Sequence, residues 1–86
     1  MDWINEINQL QETLKTQRDE LKVKIHLAKM EAQQEWEKTE RQWQQFKTKA
    51  DEVSTASKES AKEVGAAAKL LGEEVLHAFG RIRKSL

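Results

Sequence analysis

The chain of 86 residues contains no cysteine and no proline, and glycine occurs only at positions 65, 72 and 80. The lack of cysteine excludes a disulfide scaffold, a thiolate metal site and thiol catalysis. The 15 basic and 15 acidic side chains cancel, which argues against a general nucleic-acid-binding protein, because such proteins need excess positive charge to release counterions. No apolar run approaches the roughly 18 to 20 residues of a membrane span. The first residues also lack the basic and apolar segments of a signal peptide, so we expect a cytoplasmic, single-domain protein.

The first half of the chain has the pattern of one long amphipathic helix. It is rich in Gln, Glu, Lys and Arg, which are good helix formers. Its apolar residues recur at three or four positions, with a period of about 3.5 residues per turn. They are Ile7, Leu10, Leu14, Leu21, Ile25, Ala28, Ala32, Trp36, Trp43, Phe46, Ala50 and Val53, with Gln17 or Arg18 and Thr39 filling the two gaps. The spacing predicts one nearly straight helix over about residues 2–53.

A turn is predicted over about residues 54–59. Four hydroxyl residues between Ser54 and Ser60 compete with the backbone for hydrogen bonds and so favour turns and caps over helix interior. Ser60 and Glu63 have the spacing of a capping box, which would begin a second helix over about residues 60–84. Because the segment contains neither glycine nor proline, one uninterrupted helix is the alternative.

The second helix carries a line of small residues, Ala61, Gly65, Ala68 and Gly72, at steps of four, three and four. Antiparallel pairing, with opposed residue numbers adding up to about 110, would bring these small residues opposite large aromatic ones, as close packing requires. Phe46 would then face Gly65, and Trp43 would face the region of Ala68. We therefore predict an all-α fold, a long antiparallel helical hairpin resembling a coiled coil. Its predicted core contains Trp36, Trp43, Phe46, Gly65, Ala68, Gly72 and Val75.

The two predicted helices are unequal, so residues 1–23 would overhang the hairpin as an N-terminal arm. The arm carries an apolar stripe, and such a helix is not stable alone in water. A second apolar line, formed by Val23, Leu27 and Met30, lies roughly opposite the stripe. These three are either scattered surface residues or a further contact with a second chain. We expect a homo-oligomer, most simply a two-fold dimer. Its predicted interface contains Ile7, Leu10, Leu14, Leu21, Val23, Leu27 and Met30.

The sequence offers no strong candidate for catalysis or metal binding. Glu74 and His77 have the Glu-x-x-His spacing of di-iron helix bundles, but the chain has one such motif, at the flank of the apolar stripe. His26 has no carboxylate or second histidine at ligand spacing. The serines lie away from both histidines in sequence, and no glycine-rich phosphate loop occurs. We expect no enzymatic activity, no metal and no cofactor.

The pattern favours a structural or protein-interaction module that acts through helix packing and self-association. Its expected partner is a second copy of the chain, and the alternative partner is an unknown protein. The alternative is a peripheral membrane protein, because the amphipathic C-terminal helix and the basic residues 81–84 could bind an anionic membrane surface. The same cations have a simpler role at the negative end of the helix dipole. Glu73 and Glu74, in the middle of that helix, count against membrane binding.

The C-terminal stretch contains Ala-Lys-Glu-Val-Gly at 61–65, Leu-Gly-Glu-Glu at 71–74 and Phe-Gly-Arg-Ile-Arg-Lys at 79–84. It resembles the end of small uncharacterised bacterial coiled-coil proteins. Residues 61–69 are also similar to the eleven-residue repeats of desiccation-associated helical proteins, although the tryptophans and the first half of the chain depart from that repeat. Neither resemblance implies an active site.

Overall fold

The computed structural model describes residues 3–86, and it folds them into a bundle of three α-helices with no strand in that range. Helix α1 spans Trp3–Lys24, α2 spans Met30–Thr55 and α3 spans Lys58–Ser85, with a 3-10 turn at Ile25–Leu27 between the first two. The all-α prediction is confirmed, and α2 and α3 form the expected antiparallel hairpin. The bundle measures 44 × 17 × 16 Å, so its long axis is about the length of one helix.

The structure corrects the prediction of a single first helix with an overhanging arm. The helix is interrupted at residues 25–29, and α1 folds back along α2 and α3. The predicted start at residue 2 lies outside the described residues. Folding back covers the apolar stripe of α1 within its own chain, which avoids the loss of rigid-body freedom that binding a second chain would cost.

The interface assigned to α1 therefore needs correction as well. Ile7, Leu14 and Leu21 are at most 2% exposed within a single chain, and Leu10 packs partly buried against the same core. These four side chains are not available to a second chain while α1 stays folded back. Of the predicted interface, this leaves Val23, Leu27 and Met30 on the surface.

The side-chain contacts of α1 fix its direction in the bundle. A Cβ atom built on Gly65 would meet the Trp3 ring, and one built on Gly72 would meet Leu10. In both pairs the residue numbers differ by 62, so they increase together and α1 runs parallel to α3. Each of these two helices is antiparallel to α2, the helix that follows or precedes it in the chain.

The α2–α3 pairing places aromatic side chains at the centre of the core. Trp36 stacks on Phe79 with ring centroids 5.9 Å apart, and the Phe46 ring lies against Gly72. The numbers of these pairs add up to 115 and 118, not the expected 110. Phe46 therefore faces Gly72 and not Gly65, because the Trp3 ring of α1 lies against Gly65.

The turn between α2 and α3 is shorter than predicted. The N-cap of α3 also lies three residues, about one helical turn, before the predicted one. Ala56 and Ser57 alone separate the helices, so α3 starts at Lys58 and not at residue 60. Ser57 is the N-cap, and its hydroxyl accepts a hydrogen bond from the backbone N–H of Ser60 at 3.3 Å. The predicted cap at Ser60 is wrong because the Ser57 hydroxyl already satisfies an exposed N–H of the first turn.

The three glycines of α3 have different surroundings. A Cβ atom at Gly65 would lie 2.9 Å from the Trp3 ring, and one at Gly72 would overlap Leu10 and approach Phe46 to 3.0 Å. A Cβ atom at Gly80 would meet nothing within 4 Å. Gly65 and Gly72 thus let the neighbouring helices approach α3 closely, whereas Gly80 only lowers the helix propensity.

We expect opposite effects on stability from two glycine substitutions. Gly72→Leu should lower the free energy of unfolding by about 1 to 3 kcal/mol through overpacking, despite the better helix propensity of leucine. Gly80→Ala should raise it by up to about 1 kcal/mol, since alanine favours helix and finds open space. Urea unfolding followed by circular dichroism measures both, and an increase for Gly72→Leu would contradict the close packing of α1, α2 and α3.

Candidate functional site

The predicted hairpin-core residues all lie in the interior of the bundle or against it. Phe46, Ala68 and Val75 are fully buried, Trp43 is nearly so, and Gly65 and Gly72 are buried on α3. Trp36 is partly buried and packs against this core. These side chains hold the helices together, so none of them is offered to a ligand.

The titratable residues do not form a reactive cluster. His26, Glu74 and His77 are all exposed. Among residues 3–86, no group of three histidine, aspartate or glutamate side chains lies close enough to hold a metal ion. Every buried side-chain nitrogen and oxygen in the same range has a hydrogen-bond partner, so the core contains no unsatisfied polar atom aimed at a ligand.

The most exposed aliphatic side chains surround the corner between α1 and α2. Val23 is 76% exposed, Leu27 94% and Met30 73%. We call these three residues the corner surface. Since leucine, valine and methionine are ordinarily buried when a helix packs, their exposure at one place in the chain marks this end of the bundle as a candidate contact site.

A groove of about 520 Å³ adjoins the corner surface. It lies where the end of α3 passes the corner, and its lining is aliphatic with lysines and a serine. The lining residues are Val23, Lys24, Leu27, Ala28, Lys29, Ser85 and Leu86. Neither segment that forms it, residues 22–30 or 81–86, contains an acidic side chain. The groove therefore combines apolar contact area with positive charge.

Two basic side chains at the end of α3 already have partners within the chain. Arg81 donates to Glu35 on α2 at 2.9 Å, and Arg83 lies 3.8 Å from Glu20 on α1. Arg81, Arg83 and Glu20 are more than half exposed and Glu35 about one-third exposed, so both pairs contribute little to stability. They nevertheless reduce the free positive charge of the C-terminal helix that the sequence alone suggests.

A stronger ion pair fixes α1 on α2. The Arg18 guanidinium donates from Nε to Glu40 Oε1 at 2.6 Å and from Nη2 to Oε2 at 2.8 Å. Both side chains are about three-quarters buried, and this bidentate geometry is the strong form of an arginine–carboxylate contact. The hydrogen bonds with Glu40 raise the pKa of Arg18. Arg18 thereby fills the gap that the apolar stripe of α1 leaves open.

Sequence reasoning identified the corner-surface residues but missed the groove and the contacts that shape it. Leu86 was expected at the end of the apolar spacing of the second helix, level with about Lys24, but not as part of a groove. The partner of Arg18 was not found. A charged residue within an apolar stripe was the available signal for the ion pair, since such a position needs an opposite charge on the facing helix. The side-chain amide of Gln33 donates to the carbonyls of Ile25 and Ala28 at 3.4 and 3.2 Å. Nothing in the sequence around Gln33 indicated this contact with the corner.

No helix in the described part of the chain is long and apolar enough to cross a membrane. No family model, curated protein or solved structure matches the sequence significantly.

We expect the Arg18–Glu40 pair to stabilise the fold measurably. Glu40→Gln should lower the free energy of unfolding by about 1 to 2 kcal/mol, because it leaves a partly buried guanidinium without its carboxylate. Glu52→Gln is the matched control on the same helix, since Glu52 pairs with Lys49 at 3.2 Å in an exposed position and should cost less than about 0.5 kcal/mol. Equal losses in urea unfolding would show that the pair does not fix α1.

Proposed function

We propose that the protein is a non-enzymatic interaction module of the cytoplasm that acts through helix packing and self-association. The observation that carries this proposal is the corner surface, where three large aliphatic side chains are at least 73% exposed. The same chain buries large side chains such as Phe46, Phe79 and Leu14 completely. Exposed apolar side chains grouped at one place on a small protein are typical of contact sites for other proteins.

The surface features of the bundle support a binding role over a catalytic one. Enzyme sites are usually concave and bring several polar or titratable groups together. Here the grooves are open to solvent. Glu74 and His77, the residues whose spacing resembles a metal site, are exposed on α3. The inward faces of all three helices are occupied by the core. What the chain offers to a partner is its outer surface.

Self-association as a dimer is part of the proposal. A chain of this size has a small core, so association would add stability that a single copy lacks. Static light scattering at tens of micromolar should give twice the 10.0 kDa mass of one chain. A mass of one chain over the whole concentration range would contradict self-association.

The alternative function, binding of an anionic membrane surface through the C-terminal helix, has a structural requirement. The apolar face of α3, which includes Ala68, Val75 and Phe79, is fully buried in the bundle, so α3 would have to leave it to insert. Co-sedimentation with vesicles that contain phosphatidylserine tests this. Salt-sensitive binding that requires anionic lipid would favour the membrane function, and absence of binding would favour the interaction module.

We expect the corner surface to bind protein partners without contributing to the fold. Leu27→Ser should leave the melting temperature nearly unchanged, because exposed positions change stability by less than about 0.5 kcal/mol. It should nevertheless reduce the recovery of specific proteins by the tagged chain from a lysate of the native host. Leu70→Ser is the matched control, since Leu70 is an exposed leucine of α3. Identical recovery with both variants would contradict a role for the corner surface.

A further inference from the structure

We infer that two copies of the chain associate by exchanging α1. In each copy the corner straightens, α1 and α2 join into one continuous helix, and α1 packs on α2 and α3 of the other copy. This inference rests on the self-association proposed above and goes further by naming the exchanged segment and the contacts it makes.

The residue types in the corner do not by themselves specify a bend, although Ile25 is buried and its carbonyl accepts a hydrogen bond from the Ala28 N–H at 3.1 Å. Residues 25–29 read Ile-His-Leu-Ala-Lys, without the Gly, Pro, Asn, Asp or Ser that usually specify a turn or helix start. Lys29 occupies the N-cap of α2 and its side chain makes no capping hydrogen bond. The turn before α3 differs, because Ser57 caps that helix. The corner has the two long hydrogen bonds from Gln33 in place of a cap.

A continuous helix through the corner would preserve the apolar seam. Leu21, Ile25, Ala28 and Ala32 follow one another at steps of four, three and four, which keeps them on one face of a straight helix. Leu21, Ile25 and Ala32 are already buried in the folded-back chain. Straightening would also bring Ala28 and Lys29, now extended at ψ 161° and 156°, into the helical hydrogen-bond ladder. The sequence therefore suits both forms of the corner.

The contacts of α1 can be transferred to a second copy without change. Since only residues 25–29 connect α1 to the hairpin, the partner's α1 can take the same place, with Trp3 on Gly65, Leu10 on Gly72 and Arg18 on Glu40. Arg18 pairs with Glu40, and the mean of these two residue numbers is 29. If two straightened helices pack antiparallel with Arg18 of each opposite Glu40 of the other, residue 29 of one lies opposite residue 29 of the other, at the former corner. The exchange is thus geometrically consistent with the contacts of the single chain.

The exchanged interface would have the size of a stable dimer interface. Because the folded-back chain already buries the same α1 contacts, this area holds the two chains together, and the preference for the dimer comes from straightening the corner. In each chain α1 contributes Trp3, Ile7, Leu10, Leu14 and Leu21 to the core or its edge. At roughly 100 Å² for each large side chain, both copies of α1 and the surfaces they cover would bury on the order of 2,000 Å². Stable interfaces bury about 1,200 to 2,000 Å². Short connections between packed elements are also the usual site of domain exchange.

A pair of introduced cysteines distinguishes the two arrangements, because the natural chain has none. A Cβ atom at position 72 would lie 3.1 Å from Leu10 Cγ, so Leu10→Cys together with Gly72→Cys places two thiols within reach of a disulfide. The bond forms within one chain if α1 is folded back, and between two chains if α1 is exchanged. After oxidation at tens of micromolar, we expect a covalent dimer on a non-reducing denaturing gel.

The outcomes separate this inference from the proposed self-association. A dimer in light scattering with covalently linked chains supports the exchange. A dimer whose disulfide lies within single chains overturns the exchange and leaves self-association through the surface. A monomer in light scattering, with the bond within the chain, overturns both.

A proline in the corner provides a second test that needs no cysteine. Lys29 has φ −61° and Ala28 has φ −82° and ψ 161°, which are the values that proline and its preceding residue adopt. Lys29→Pro therefore fits the folded-back chain, but in a continuous helix it would clash with the carbonyl of Ile25. We expect it to weaken dimerisation about tenfold or more. Lys29→Ala removes the same charge, permits the helix and should leave the dimer intact; equal dimer fractions for the two variants would overturn the exchange.

Discussion

The close approach of three helices at Gly72 is the contact on which the rest of the fold depends. Leu10 from α1 and Phe46 from α2 both reach this glycine, so a large side chain here, with Leu10 in place, would separate α3 from both neighbours at once. The small seam of α3 therefore decides whether α1 can join the hairpin.

The polar contacts of the bundle complement this apolar centre by defining how the helices are aligned. Arg18 and Glu40 join α1 to α2 through two short hydrogen bonds, and Thr39, fully buried beside Glu40 in sequence, donates to the Glu35 carbonyl at 2.7 Å. Both residues occupy positions where the apolar stripes are interrupted. The ion pair joins α1 to α2 and so contributes to their register, whereas the Thr39 hydrogen bond stays within α2. Neither position leaves an unpaired polar side-chain atom inside.

The sequence was sufficient to predict the all-α fold, the α2–α3 hairpin and most of its core, because apolar spacing and small-residue spacing both follow from helix geometry. It was insufficient to predict the corner. Ile25 to Lys29 are residues that a helix accepts, and the bend is what lets Trp3 and Leu10 reach α3 of their own chain. A break that tertiary packing imposes leaves no local mark, whereas the break before α3 was predicted because hydroxyl residues mark it. The candidate site shows the same division, since Val23, Leu27 and Met30 were recognisable by spacing, whereas the groove beside them forms only where α1 folds back.

The three tryptophans divide the bundle into regions that can be followed separately by spectroscopy. Trp3 lies against Gly65 and joins α1 to α3, whereas Trp36 stacks on Phe79 and Trp43 packs beside Phe46, both within the α2–α3 hairpin. Detachment of α1 would remove the Trp3 indole from Gly65, whereas the contacts of Trp36 with Phe79 and of Trp43 with Phe46 do not involve α1. The fluorescence of single-tryptophan variants can therefore separate the local opening of one helix from unfolding of the whole chain, two events that differ in free energy in many small proteins.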